Sequence, residues 1–212
     1  MQTELFHKLS PEKQAAIVSA GTEEFSKKSF ADANTDVITQ ACGISKGLLF
    51  HYFGTKREFY LYCLSSALEK LMVETEILEG DFYAVLFSSM DHKLRLCAQY
   101  PTEMKFVNMA SRESGAEVDS GRKALFAQYG ARRATASYAV LQRALKALPL
   151  KRPDDEKAAK GLLLYCDALV NQYLLAYQDH PETFFAQADQ IKKELKEYLD
   201  FMIYGIAEEQ AK

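Results

Sequence analysis

The stretch CGISKGLLFHYFGTKREF, Cys42 to Phe59, decides how the rest of the chain is read. It holds a glycine where a turn is needed, a short apolar run, a cluster of rings and the cations Lys46, Lys56 and Arg57. Gly43 sits where one helix stops and the chain turns, a position at which glycine carries little steric cost. Ser45 is a good cap for a helix that begins at Lys46. On that helix Leu49 and Phe53 share a face four residues apart, and with Ile44, Ile38 and Phe30 they form a small core. The remaining positions are Gly47, Leu48, His51 and, at the edge, Phe50 and Tyr52. That is an unusual surface, because a glycine inside so short a helix costs about 1 kcal/mol relative to alanine.

Upstream, Asn34 caps a short helix with Val37, Ile38 and Ala41 as its apolar face. Two short helices joined by a glycine-containing turn make a helix-turn-helix. A DNA major groove admits one helix, with its N-terminal residues nearest the base edges. A helix N-terminus with its free N–H groups and a lysine also attracts phosphate. Lys46, Lys56, Arg57, Thr35 and Tyr52 are therefore read as phosphate contacts. Ser45, Gly47, Leu48, Phe50 and His51 complete the candidate DNA-binding set.

The longer segment ITQACGISKGLLFHYFGTKREFY resembles the TetR family of bacterial transcriptional regulators. The likeness rests on Phe30 and its spacing to Gly43, on Gly43-Ile44-Ser45-Lys46-Gly47, and on Leu49, Tyr52-Phe53 and Lys56. It covers residues 11 to about 62. The resemblance implies a homodimer with one DNA-reading head per subunit and an inducer-binding body. Leu48 stands where a small polar residue is more usual, and Phe50 replaces a common tyrosine, so the operator preference of relatives does not transfer.

Composition sets the wider bounds. The chain has 212 residues, 48% hydrophobic and 26% charged, as expected of an ordinary globular protein. Its net charge of −3 does not advertise a polyanion partner, so any DNA reading rests on local arrangement. The first 60 residues carry seven Lys/Arg and seven Asp/Glu and are less acidic than the remainder. The four cysteines have no CxxC spacing and read as buried free thiols. The N-terminus lacks the apolar core of a signal peptide, and no run is long enough to span a bilayer. The expectation is a soluble cytoplasmic protein with no membrane partner.

Prolines, glycines and 3–4 spacing predict an all-α chain of about nine helices. The first starts at Ser10-Pro11, with Ile17, Gly21 and Phe25 on one face and Ala16 and Ala20 beside them. Thr55 opens a long helix past Leu71, Asp81–Tyr100 forms another, and Pro101–Arg112 a short one. Gly115 and Gly121 read as a looser stretch before a helix to about Leu148. Pro149–Asp155 and the DHPE segment at 179–182 read as breaks. The expected division is a helix-turn-helix head at 1–54 and a ligand-binding and dimerisation body at 55–212.

The helix expected from Pro153 to Gln178 is apolar nearly all round. The last helix carries Phe184, Ala188, Ile191, Leu195, Tyr198, Met202 and Ile206 as a seam. Together, from Pro153 to Ala207, these two are the expected homodimer interface. Residues 80–140 are rich in aromatics and methionine. Phe87, Met90, Tyr100, Met104, Phe126, Tyr129 and Tyr138 suit an apolar cavity for a small-molecule inducer, with core packing as the plain alternative for each. Asp167, a carboxylate in an apolar run, needs a partner: a group across the dimer interface, Arg132 or Arg133, or a cationic ligand.

The four histidines are scattered, with no metal spacing, phosphate-binding glycine loop or nucleophile elbow, so no enzyme, metal or cofactor is expected. The leading reading is a ligand-responsive repressor that binds double-stranded operator DNA. The other is a helical adaptor that kept the head but recognises a protein or a lipid.

Overall fold

The computed structural model of the chain describes residues 2–72, 80–148, 156–176, 183 and 186–205. Among them lie ten helices with defined bounds and no strand. In chain order these are α1 (Gln2–Phe6), α2 (Pro11–Phe25), α3 (Thr35–Cys42), α4 (Lys46–Phe53), α5 (Lys56–Lys70), α6 (Phe82–Gln99), α7 (Pro101–Arg112), α8 (Ala116–Leu145), α9 (Glu156–Ala176) and α10 (Ala188–Tyr204).

Local chemistry sets most of the early bounds. Ser10, Asn34 and Ser45 each accept a backbone N–H in the first turn they cap, from Lys13, Asp36 and Leu48. Thr55 and Glu58 form a reciprocal capping box at the start of α5. Gly43 ends α3 in the left-handed region at φ 65°, where a side chain would be strained.

The described chain falls into two compact units, residues 1–74 with 95–133 and residues 75–94 with 134–212. The first is built around an aromatic core. Phe25 of α2 stacks on Phe106 of α7 at 5.6 Å, and the Tyr60 ring meets Phe25, Phe30 and Phe106 edge-on at 4.9, 5.3 and 5.2 Å. Leu49 and Phe53 of α4 and Ile38 of α3 close the same core. In the second unit, Phe82 and Val85 of α6 meet Val140, Leu141 and Ala144 of α8, Leu162 of α9 and Leu199 of α10. A smaller cluster joins Leu169 of α9 to Ile191 and Leu195 of α10.

Several expectations are corrected. A helix, α1, precedes Ser10; its Phe6 is fully buried against Phe53 at 4.8 Å, Tyr62 at 5.4 Å and Tyr52 at 6.1 Å. Five residues are too few for a periodic signal, so α1 exists through this tertiary packing. Val37 and Ala41 point outward, and α3 instead buries Thr35, Ile38, Thr39 and Cys42. Ala16 is exposed. Gly121 lies inside α8, which begins at Ala116. In the last-helix seam, Ile191 and Leu195 are interior to the unit while Tyr198 and Met202 are exposed. The segment 149–155, the break at 179–182, Phe184 and Ile206 lie outside the described residues.

Two helical glycines of the first unit, Gly21 and Gly121, differ in what surrounds them. A Cβ at Gly21 would meet Phe59 Cζ at 2.5 Å and Cys63 Sγ at 2.8 Å, both in fully buried side chains. A Cβ at Gly121 would meet Leu61 Cδ1 at 2.5 Å, the free end of a half-buried side chain. Alanine gains about 1 kcal/mol of helix propensity at either site. Overpacking a tight core costs about 1–3 kcal/mol, which outweighs that gain only where the neighbours cannot yield. Gly21→Ala is expected to lower unfolding free energy by about 1–2 kcal/mol, and Gly121→Ala to change it by less than about 1 kcal/mol. Denaturant melts of the two variants check the contrast.

Candidate nucleic-acid interface

The helix-turn-helix is α3, the turn 43–45 and α4. Its internal side rests on Ile38, Cys42, Leu49 and Phe53, all buried. Lys13 of α2 ties the end of α3 by donating from Nζ to the Cys42 carbonyl at 2.9 Å. The outward side of α4 holds Lys46, Gly47, Leu48 and His51, all exposed, with Phe50 half-buried beside them. Leu48 keeps 37% of its surface and Val37 of α3 keeps 45%, so the two helices present exposed aliphatic groups.

Gly47 is the most telling member of this surface. A Cβ built there would find only Ser45 Oγ, at 4.0 Å. Crowding within the protein therefore gives no reason for a glycine that weakens α4 by about 1 kcal/mol. Together with the exposed surroundings, this fits a surface open to close approach from outside.

The other candidates are placed differently. Ser45 caps α4 and is exposed. Thr35 is mostly buried at the start of α3. Tyr52 is also mostly buried, with its ring against Phe6 at 6.1 Å and His51 at 6.1 Å. Lys56 donates to the Ala31 carbonyl at 3.2 Å and lies 4.9 Å over the Phe30 ring. Burial pulls its ammonium below the usual lysine range, against the pull of the Glu117, Asp32 and Glu24 carboxylates. Lys46 forms an ion pair with Asp36 at 3.1 Å.

A clasp absent from the sequence reading holds the loop between α2 and α3. Glu24 accepts from the Asn34 N–H at 2.9 Å and pairs with Lys28 at 2.9 Å. Glu113, just past α7, accepts from the Phe30 N–H at 2.7 Å and the Gly115 N–H at 2.9 Å. Nearby, Arg57 Nε donates to the Glu117 carbonyl at 2.7 Å. Glu113 and Phe30 are separated by 83 residues, so no local pattern signals the pair.

The candidate inducer residues divide among separate groups. In the first unit Tyr129 is buried and its hydroxyl lies 3.3 Å from Ser65 Oγ, while Phe126 packs against the aromatic core. There too Met104 Sδ meets Cys97 Sγ at 3.7 Å, and Lys70 lies 5.6 Å over the Tyr100 ring. In the second unit Phe87 and Met90 line the cluster of Leu169, Ile191 and Leu195, and Tyr138 packs beside Leu141. Asp167 lies in α9, but its side chain is outside the described residues. Arg132, one of its considered partners, is held bidentately by Glu69 at 2.7 and 3.2 Å. Among the described residues no group of three or more His, Cys, Asp or Glu could hold a metal ion. No described helix is long and apolar enough to cross a membrane.

Residues 17–63 match the family model described as bacterial regulatory proteins, tetR family. Solved structures share the fold. A tetR family transcription regulator of Shewanella sp. PV-4 superposes with a TM-score of 0.58 at 16% identity, covering 87% of this chain and 94% of that one. A tetR-family regulator of Streptomyces coelicolor gives 0.59 at 20% identity over 86% and 78% of the two chains. The TetR family regulator PfmR of Thermus thermophilus gives 0.55 at 20% identity over 91% and 99%. No curated protein sequence matches the chain.

The Glu113 clasp carries a pH dependence. Burial opposes ionisation, but the N–H groups of Phe30, Gly115 and Ser114, with the charge of Arg122, outweigh it and hold the carboxyl below its ordinary value of 4.5. A depressed carboxylate contributes stability above the unfolded value and loses it as pH falls through the folded one. Glu113→Gln is expected to lower stability at pH 7 by about 1–3 kcal/mol, the cost of leaving an N–H poorly satisfied. Its deficit relative to wild type should shrink as pH falls below 4.5. Melts from pH 7 to pH 3 check this.

Proposed function

From the premise that residues 17–63 are a TetR-family DNA-binding domain, we propose that the chain is a transcriptional repressor released from its operator by a small, largely apolar inducer. Residues 1–54 act as the reading head and 55–212 as the ligand-binding and dimerisation body. The observation that carries the reading is the exposed face of α4: an unforced Gly47, the exposed Leu48 and His51, and Lys46 at the helix N-terminus. A helix laid in a major groove needs close backbone approach, a cation for phosphate and side chains that touch base edges. Leu48 supplies only apolar contact, which suits a thymine methyl.

Two heads at a fixed spacing are needed to read a two-fold operator. Support for pairing through the last two helices comes from their unburied apolar groups. Leu164 of α9 and Tyr198, Phe201, Met202 and Tyr204 of α10 keep 44–69% of their surfaces. Such groups are what a two-fold interface covers. The inducer reading draws on the aromatic and methionine content of residues 80–140. It requires reciprocity: DNA must weaken inducer binding by the factor by which inducer weakens DNA binding.

Gel shifts with DNA from the region upstream of the chain's own gene test the assignment. Lys46→Ala should weaken binding on all sequences and reduce the salt slope by about one. Leu48→Ala should instead change sequence preference, at about 1–3 kcal/mol per disturbed base contact. An adaptor that reads protein or lipid would shift no DNA.

Met202→Glu should give folded monomers that lose operator binding, because Met202 is outside the unit's core. Leu195→Glu, which puts a charge into that core, should unfold the protein. A sizing column and a melt separate the two outcomes.

A further inference from the structure

Most cations on and beside the head are already engaged within the protein. Lys13, Lys56 and Arg57 donate to backbone carbonyls, and Lys27 and Lys28 pair with Glu23 and Glu24. Lys46, at the first position of the reading helix, pairs with Asp36 in the first turn of α3 at 3.1 Å. This last pair is open to water, with 49% of the Lys46 side chain and 66% of the Asp36 side chain accessible. Exposed pairs of this kind are weak and exchange readily. Lys46 is therefore a cation that can change partner without disturbing the fold.

We propose that Asp36 is a counter-charge that limits the affinity of the head for DNA. The inference rests on the DNA-binding reading above. When a phosphate takes Lys46, it replaces the Asp36 carboxylate as the partner. The displaced carboxylate stays on the preceding helix beside Lys46, on the order of 6 Å from that phosphate, the sum of two hydrogen-bond lengths. Two like charges at that distance repel enough to weaken binding about threefold in bulk water, and more strongly at the lower effective dielectric of a protein surface. The penalty is indifferent to base sequence, so it acts on operator and random DNA together. It also fades with salt, because exposed charges are screened beyond the Debye length.

Asp36 thus lowers the sequence-independent part of DNA affinity while leaving base contacts to α4. The net charge of −3 over the whole chain points the same way, towards a protein not built to coat DNA.

The test compares full-length wild type and Asp36→Asn by fluorescence anisotropy, on upstream-region DNA and on a random duplex of equal length, over a salt series. The variant is expected to bind both duplexes about three- to tenfold tighter at low salt, with a salt slope steeper by up to about one. The gain should shrink in a Lys46→Ala background. Thermal melts establish that the variant is folded. Unchanged affinity overturns the proposal. Weaker binding to both duplexes also overturns it and makes Asp36 a support that orients Lys46. Weaker binding to the upstream DNA alone overturns it in favour of base reading by Asp36. If wild type shifts neither duplex, the DNA-binding reading itself falls, and the proposal with it.

Discussion

Phe25 of α2 stacked on Phe106 of α7, with Tyr60 of α5 edge-on to both, is the contact on which the first unit depends. Aromatic pairs in such geometry contribute about 0.5–1.5 kcal/mol each beyond their buried area. The same Tyr60 ring receives Phe30, so the loop that leads into the helix-turn-helix is seated on this stack. Once Phe30 is seated, its N–H is within reach of Glu113 and its ring lies under Lys56. Apolar packing and the charged groups thus hold the same loop, the ring by its face and the backbone by its N–H.

The parts of the fold that could be read from the sequence are those whose causes lie within about four residues. Ser10, Asn34 and Ser45 cap the helices they were expected to cap, the helix expected from Thr55 starts one residue later with Thr55 as its cap, and Gly43 turns the chain where expected. The parts that could not be read have distant causes. The helix α1 exists because Phe6 finds Phe53 and Tyr62. The loop clasp exists because Glu113 meets Phe30. Gly121 suggested a loose stretch, yet it lies in a helix, with the movable end of Leu61 resting where a Cβ would project. In α10 the 3–4 spacing correctly marked apolar residues, but spacing alone does not separate Ile191 and Leu195, which face inward, from Tyr198 and Met202, which do not.

The candidate DNA face shows a similar division. Helical projection placed Lys46, Gly47, Leu48 and His51 outward correctly, because they follow a capped helix with two strong core residues. It did not foresee that Thr35 and Tyr52 are mostly buried or that Lys56 donates to the Ala31 carbonyl. Each is polar enough to touch a phosphate, but each is drawn inward by a partner remote in sequence or by the fold of its own helix start. Amphipathic side chains at the rim of a small core are where projection from a single helix is weakest.

Cys63 lies on α5 beside Gly21 of α2, with none of its surface exposed. Burial pushes its thiol far above the ordinary cysteine range, although Thr22 offers a hydrogen bond that works the other way. Only the thiolate attacks an alkylating reagent, so Cys63 is inert while α2 and α5 stay in contact. Its modification rate therefore measures how often the two helices part. The protein carries an internal clock for the parting of α2 from α5, read with a mass spectrometer after alkylation and needing no engineered cysteine.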